Sequence, residues 1–186
     1  MQLLDTIKSA CLHPRAFFEK LSETGLITAW KFYAIIALIA AVLSAIVSLA
    51  MGSALTSLLG SVIPLLASSG LLVGAAIGFV LQLILIFVGA AILHVFVYLL
   101  GGRSGYGKTF QAYAYGMTPG VLLSWIPLVS FIGMLWSLYT TTMGVSALHK
   151  LSTGRAFLAI ILPIIVAAVI AFAVAAAFIA PFLAFA

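Results

Sequence analysis

The sequence predicts an all-α polytopic membrane bundle: about five transmembrane helices, the N-terminus cytoplasmic, and short amphipathic interfacial helices ahead of the first crossing. Three observations predict it. Apolar residues make up 66% of the chain and charged residues only 6%, whereas a soluble domain carries charge on roughly a quarter of its residues. No Asp, Glu, Lys or Arg lies between Lys31 and Arg103, between Lys108 and Lys150, or after Arg155. A crossing needs about 20 apolar residues, so each gap holds at least one. Finally, every Lys and Arg falls within 1–31, 101–108 or 149–155, a clustering that marks one side of a bilayer.

The elements follow in order. Residues 1–31 read as a cytosolic preamble, and residues 32–186 as the membrane domain. In the preamble Leu3, Leu4, Ile7, Ala10 and Cys11 share one helical face. His13-Pro14 ends that helix, and Pro14 suits the first position of a second one. Phe17, Phe18 and Leu21 form its apolar patch. Such helices either lie in the headgroup plane or pack beneath the bundle. Charges run throughout the preamble, and no isolated apolar stretch reads as a secretory leader. Trp30, Lys31 and Tyr33 anchor a first span at about 32–52. Residues 54–67, with Pro64, are too short to cross and read as an interfacial or re-entrant segment. The second span covers about 71–100 and the glycine-rich loop 101–108 follows it. The uncharged run 109–148 is about two spans long and folds as a hairpin turning near Ser124 to Pro127, with spans at about 109–125 and 129–148. The fifth span is about 156–180.

Five crossings place the preamble and both basic loops on one side, which the positive-inside rule makes the cytoplasm. The pI near 9.6 is therefore a topology signal and not a nucleic-acid signal. The lone Cys11 excludes an internal disulfide.

Lipid supplies no hydrophobic drive for helix association, so small residues must let helices approach. They recur at four-residue spacing as Gly70, Gly74 and Gly78 in span two, as Ala112, Gly116 and Gly120 in span three, and as Ser137 and Thr141 in span four. The Gly70 stripe serves either packing within the chain or a homo-oligomer seam. Pro119 removes one hydrogen bond inside span three and should bend it.

Chemistry is sparse. The loop ends Gly107-Lys108-Thr109 but lacks the phosphate-loop spacing. No charged side chain lies within a span, which argues against ion-coupled pumps. All carboxylates sit in the preamble, so no paired-carboxylate or Ser-His-Asp set exists, and His13, His94 and His149 share no ligand spacing. No catalytic, cofactor or metal residues are expected. The candidates that remain are an intramembrane polar seam of Gln82, His94, Gln111 and Tyr115, with Gln82 near the middle of span two, and a set of cytosolic lipid or partner contacts, Arg103, Lys108, Lys150 and Arg155.

The order of the motifs resembles a known family. Pro14-x-x-Phe17-Phe18 precedes the spans. Gly101-Gly102-x-x-Gly105-Tyr106 leads to Phe110, and Ala114-Tyr115-Gly116-x-x-Pro119 follows. Trp136 lies in the fourth span, and Gly144-x-x-x-Leu148-His149-x-Leu151-Ser152-x-x-Arg155-Ala156 enters the fifth. The chain resembles the Yip domain family, the Ypt/Rab-interacting group, in its compact prokaryotic branch. The resemblance implies the multi-pass fold and, through its prokaryotic branch, a place in a prokaryotic cytoplasmic (inner) membrane. Eukaryotic members are associated with Rab GTPases and vesicle traffic, but the long N-terminal region and the Asp-Leu-Tyr-Gly-Pro motif are missing here, so Rab binding is not expected to carry over.

Two functions fit. One is a non-enzymatic scaffold or adaptor that organises the bilayer, touching anionic lipid headgroups or an unidentified cytosolic protein. The other is a transporter, channel or lipid-handling protein with a polar seam between spans. A hydrated cavity reaching Gln82 is the feature that would separate them, and a lipid bound there would point toward lipid handling.

Overall fold

A computed structural model describes residues 3–21, 25–59 and 62–184, with side-chain surroundings for 3–21, 25–51 and 73–176. The chain forms α1 (Leu3–Leu12), α2 (Pro14–Lys20), α3 (Leu26–Leu59), α4 (Val62–Leu99), α5 (Tyr106–Gly116), α6 (Thr118–Leu123), α7 (Val129–His149) and α8 (Thr153–Ala184). No strand occurs among the described residues. Four stretches among them are long and apolar enough to cross a membrane: Leu26–Met51, Val73–Leu99, Val129–His149 and Thr153–Ala176. The chain is a multi-pass helical membrane protein.

Two expectations about the spans change. The first concerns 54–67, which is not a separate element: α3 runs on to Leu59 and α4 begins at Val62. The side-chain surroundings of 52–72 lie outside the described residues. The second concerns 109–125, which is two helices broken at Met117 and not one bent span. The count of five holds only when α5 and α6 are taken together as one interrupted crossing.

Pro119 explains the break, and α7 explains why the break is tolerated. Proline has no N–H for the Tyr115 carbonyl, and the Thr118 hydroxyl donates to that carbonyl at 2.6 Å instead. One residue on, the Gly116 carbonyl and the Gly120 N–H are both met by side chains of α7. Thr140 of α7 donates to the Gly116 carbonyl at 2.5 Å, and the Gly120 N–H donates to Ser137 Oγ at 2.7 Å. Freed backbone groups in a membrane must be satisfied inside the protein, and three hydroxyls do so here.

The expected hairpin is present. Residues 124–128 turn, and α7 starts at Val129. The α5–α6 pair is the centre of the bundle, packed by α3, α4 and α7, while α8 packs on α4 and α7. Among the described residues of α8 the first turns are the buried ones, through Ala156 and Ala159 beside Leu93 and Val97. From Ile164 to Ala176 it is exposed.

The preamble adopts its two helices, with Pro14 at the first position of α2. Phe17, Phe18 and Leu21 are buried in the main core. The Phe18 ring covers Gly144, where a Cβ would meet the ring at 2.8 Å. Trp136 Nε1 donates to the Cys11 carbonyl at 3.1 Å. Of the two placements open to this patch, the side chains of α2 pack against the bundle, while Leu4 and Leu12 of α1 remain exposed.

The small-residue stripes divide. A Cβ on Gly116 would lie 2.6 Å from Thr141 Cα, and one on Gly120 would lie 2.7 Å from Ser137 Oγ. A Cβ on Gly74 or Gly78 would meet nothing within 4 Å. The chain's own helices therefore meet at Gly116 and Gly120 and not along Gly74 and Gly78. Gly70 belongs to the same row in α4, but its surroundings lie outside the described residues.

Candidate functional site: a lateral cavity and a histidine bridge

Because α8 leaves the bundle after its first turns, a space opens between it and α4, α5–α6 and α7. This cavity measures about 700 Å³, within the usual ~300–1,000 Å³ of small-molecule sites. Leu93, Val121, Leu138, Ile160 and Pro163 form much of its apolar wall. Ile92, Met134 and Ile164 at its margin are about half exposed, so the cavity opens sideways between helices. Its polar groups are uncharged: Gln82, Tyr113, Ser124, Ser130, Ser137 and Thr141.

Gln82, Tyr113, Ser124 and Ser137 are placed by neighbours. Gln82 Nε2 donates to the Tyr33 hydroxyl at 3.0 Å, joining α4 to α3. The Tyr113 hydroxyl lies over Gly89, where a Cβ would come within 2.8 Å. Ser124 donates to the Val121 carbonyl at 2.8 Å. Ser137 accepts from Gly120. Thr141 is 2% exposed, and its buried hydroxyl has no hydrogen-bond partner.

A second polar cluster joins the end of the bundle that carries the basic loops. Thr109 Oγ1 lies 2.8 Å from His94 Nδ1 and 2.9 Å from His149 Nε2. The Ser104 N–H donates to His149 Nδ1 at 3.4 Å. That last bond fixes the direction of the chain. His149 Nδ1 accepts, so Nε2 carries the hydrogen of the neutral ring and donates to Thr109. The single Thr109 hydrogen then goes to His94 Nδ1. Gly101 at φ 101° and Gly105 at φ 85° provide the left-handed turns that bring Ser104 to His149. A Cβ on Gly102 would collide with the Val97 side chain and lie 3.0 Å from His149 Nδ1. Because Ser104 of one basic loop contacts the last residue of α7, both basic loops occupy one end.

The predicted site residues separate. Gln82 lines the cavity. His94 belongs to the bridge. Gln111 is buried in α5. Tyr115 is buried among Phe17, at 5.2 Å between ring centroids, and Phe32, at 4.8 Å. These four do not form one seam. Among the basic candidates, Arg103 is engaged: its guanidinium donates to the Tyr98 carbonyl at 2.9 Å and stacks over the Tyr98 ring at 3.9 Å. Lys108 is half-buried in the first turn of α5. Lys150 and Arg155 are exposed, Lys150 in the left-handed conformation that ends α7.

The sequence reading missed Thr109 and His149, which are distant from His94 in the chain and share no spacing with it. It also read Ser137 and Thr141 only as small residues. The signal available was the run Thr140-Thr141-Thr142 inside an apolar helix. Among the described residues no cluster of three or more metal-ligating side chains exists.

Neither the curated proteins nor the solved structures yield a match to this chain. The family model of the Yip1 domain matches residues 8–175. That match takes in α1 from Lys8, both basic loops, the interrupted crossing and most of α8, so the chain belongs to the Yip1 domain family.

Proposed function

We propose that this protein is a non-enzymatic lipid-handling membrane protein, which admits the chain of a membrane lipid into the cavity between α4, α5–α6, α7 and α8. One observation carries the reading: the cavity is about 700 Å³, opens sideways and reaches Gln82. A void of that size inside a bilayer is costly to leave empty, because its lining loses van der Waals partners. The molecules able to enter from the side are lipids. The apolar wall suits a hydrocarbon chain, and the few neutral dipoles suit a small polar head.

The test is retention of lipid. Wild-type protein, washed extensively in detergent, should keep a bound lipid in native mass spectrometry. Ala167 lines the cavity from the exposed side of α8, so Ala167→Trp should fill it without disturbing the core and should lose that lipid. Equal lipid retention by both proteins would reject the reading.

A second reading keeps the basic end as a docking surface for anionic headgroups or an acidic protein segment. Lys150 and Arg155 favour it, because both are exposed and flank one short loop. Arg103 is a poor probe of this reading, since its loss would also remove the Tyr98 contacts. Lys150→Gln with Arg155→Gln should weaken binding to vesicles containing phosphatidylglycerol. Unchanged binding, with topology intact, would exclude these two charges.

A further inference from the structure

Resting on the lipid-handling reading, we infer that the cavity selects an uncharged lipid with a hydroxyl or ester head, and that Thr141 is the side chain that recognises it. Among the described residues the lining holds no Asp, Glu, Lys, Arg or His. A phosphate or carboxylate drawn into such a site would lose water and gain no counter-charge, and an unpaired charge away from water is strongly disfavoured. A hydroxyl or ester needs only one or two neutral hydrogen bonds.

The hydrogen-bond inventory points to Thr141. Ser137 is held by Gly120, Ser124 donates to Val121, and Gln82 donates to Tyr33. On either side of Thr141 the hydroxyls are also engaged: Thr140 with Gly116, and Thr142 with Leu138 at 2.7 Å. Tyr113 and Ser130 are only partly buried, so among the described lining residues Thr141 Oγ1 is the one that combines full burial with no partner. Buried hydroxyls are ordinarily satisfied, so an orphan calls for a ligand or another explanation. Threonine in a helix populates two χ1 rotamers. A rotation that exchanges Oγ1 with Cγ2 turns the hydroxyl from the Gly116 side to a new direction at no loss of an internal bond.

The experiment uses the whole protein in nanodiscs of phosphatidylethanolamine and phosphatidylglycerol, doped with a diazirine-bearing diacylglycerol or a diazirine-bearing phosphatidylglycerol. Cross-linked peptides are mapped by mass spectrometry. The diacylglycerol probe should label Met134 to Thr141 and Ile160 to Ala167 saturably, and unlabelled diacylglycerol should compete. Thr141→Val, close in shape and breaking no internal hydrogen bond, should weaken that labelling about fivefold, the worth of one neutral hydrogen bond. Thr141→Ser should restore it. Wild-type affinity in Thr141→Val overturns the role of Thr141. If the phosphatidylglycerol probe saturates the same peptides equally well, the head-group selection falls and the lipid-handling reading stands. If neither probe saturates there, or these peptides cross-link to a second copy of the chain, both fall.

Discussion

Thr109 is bonded to two imidazoles and is itself fully buried. Thr109→Val leaves His94 Nδ1 and His149 Nε2 without their partner. The expected cost is about 1–3 kcal/mol, read as a lowered midpoint of thermal unfolding in detergent. A midpoint equal to wild type would mean the bridge contributes nothing. Cys11 offers a second test at this scale. Burial pushes its thiol from an ordinary 9.0 up to about 11. Maleimide reacts with the thiolate, and a shift of that size leaves about a hundredfold less thiolate at neutral pH. Labelling of the folded protein at pH 7.5 should be correspondingly slow, should rise as pH climbs toward 11, and should become fast after unfolding in sodium dodecyl sulfate. Fast labelling of the folded protein would show that α1 does not stay packed on Trp136.

The crossing of α5–α6 with α7 governs the element scale. Gly116 faces Thr141 backbone so closely that even a methyl group must move α7, since a Cβ would lie 2.6 Å from Thr141 Cα. Overpacking of this kind costs roughly 1–3 kcal/mol. Gly74 has open space around it, so Gly74→Leu should leave the folded chain's stability within about 0.5 kcal/mol of wild type. The measurement is the pair of unfolding midpoints, and a larger loss in Gly74→Leu than in Gly116→Ala would place the governing helix contact on α4. A wild-type midpoint for Gly74→Leu with a change in oligomeric state would instead assign the α4 stripe to a seam between copies. The preamble depends on a similar contact. Gly144→Leu would displace the Phe18 ring, so residues 1–25 should become cleavable by a protease added to the basic side.

For the whole molecule, the antiparallel order of α3, α4, α5–α6, α7 and α8 puts Ser104 and Leu128 at opposite ends. Leu128 is 90% exposed in the α6–α7 turn, and Ser104 is exposed in the first basic loop. In cells carrying a chain without Cys11, Leu128→Cys should react with a membrane-impermeant maleimide from outside, and Ser104→Cys should react only after the membrane is opened. The reverse pattern would invert the orientation. Reaction of both from outside would mean that α5–α6 does not cross.

Composition and charge placement alone determined that this chain crosses a membrane several times with its basic loops together. Burying backbone and apolar surface in lipid depends on runs of residue type, and runs are visible in one dimension. The same holds for the break at Pro14 and the turn before Val129, which come from local backbone chemistry. Interactions between distant residues were not visible. Which glycines touch another helix depends on how α4 rotates and where α8 departs. The Gly74–Gly78 pair and the Gly116–Gly120 pair look alike as text, yet of these four only Gly116 and Gly120 meet α7. The split of α5 from α6 needed Pro119, which the sequence displays, together with Ser137 and Thr140 reaching across from another helix to take up the freed groups. The His94–Thr109–His149 bridge and the cavity beside Thr141 likewise exist only because four separate segments converge, and hydrogen bonding and empty volume are properties of that convergence.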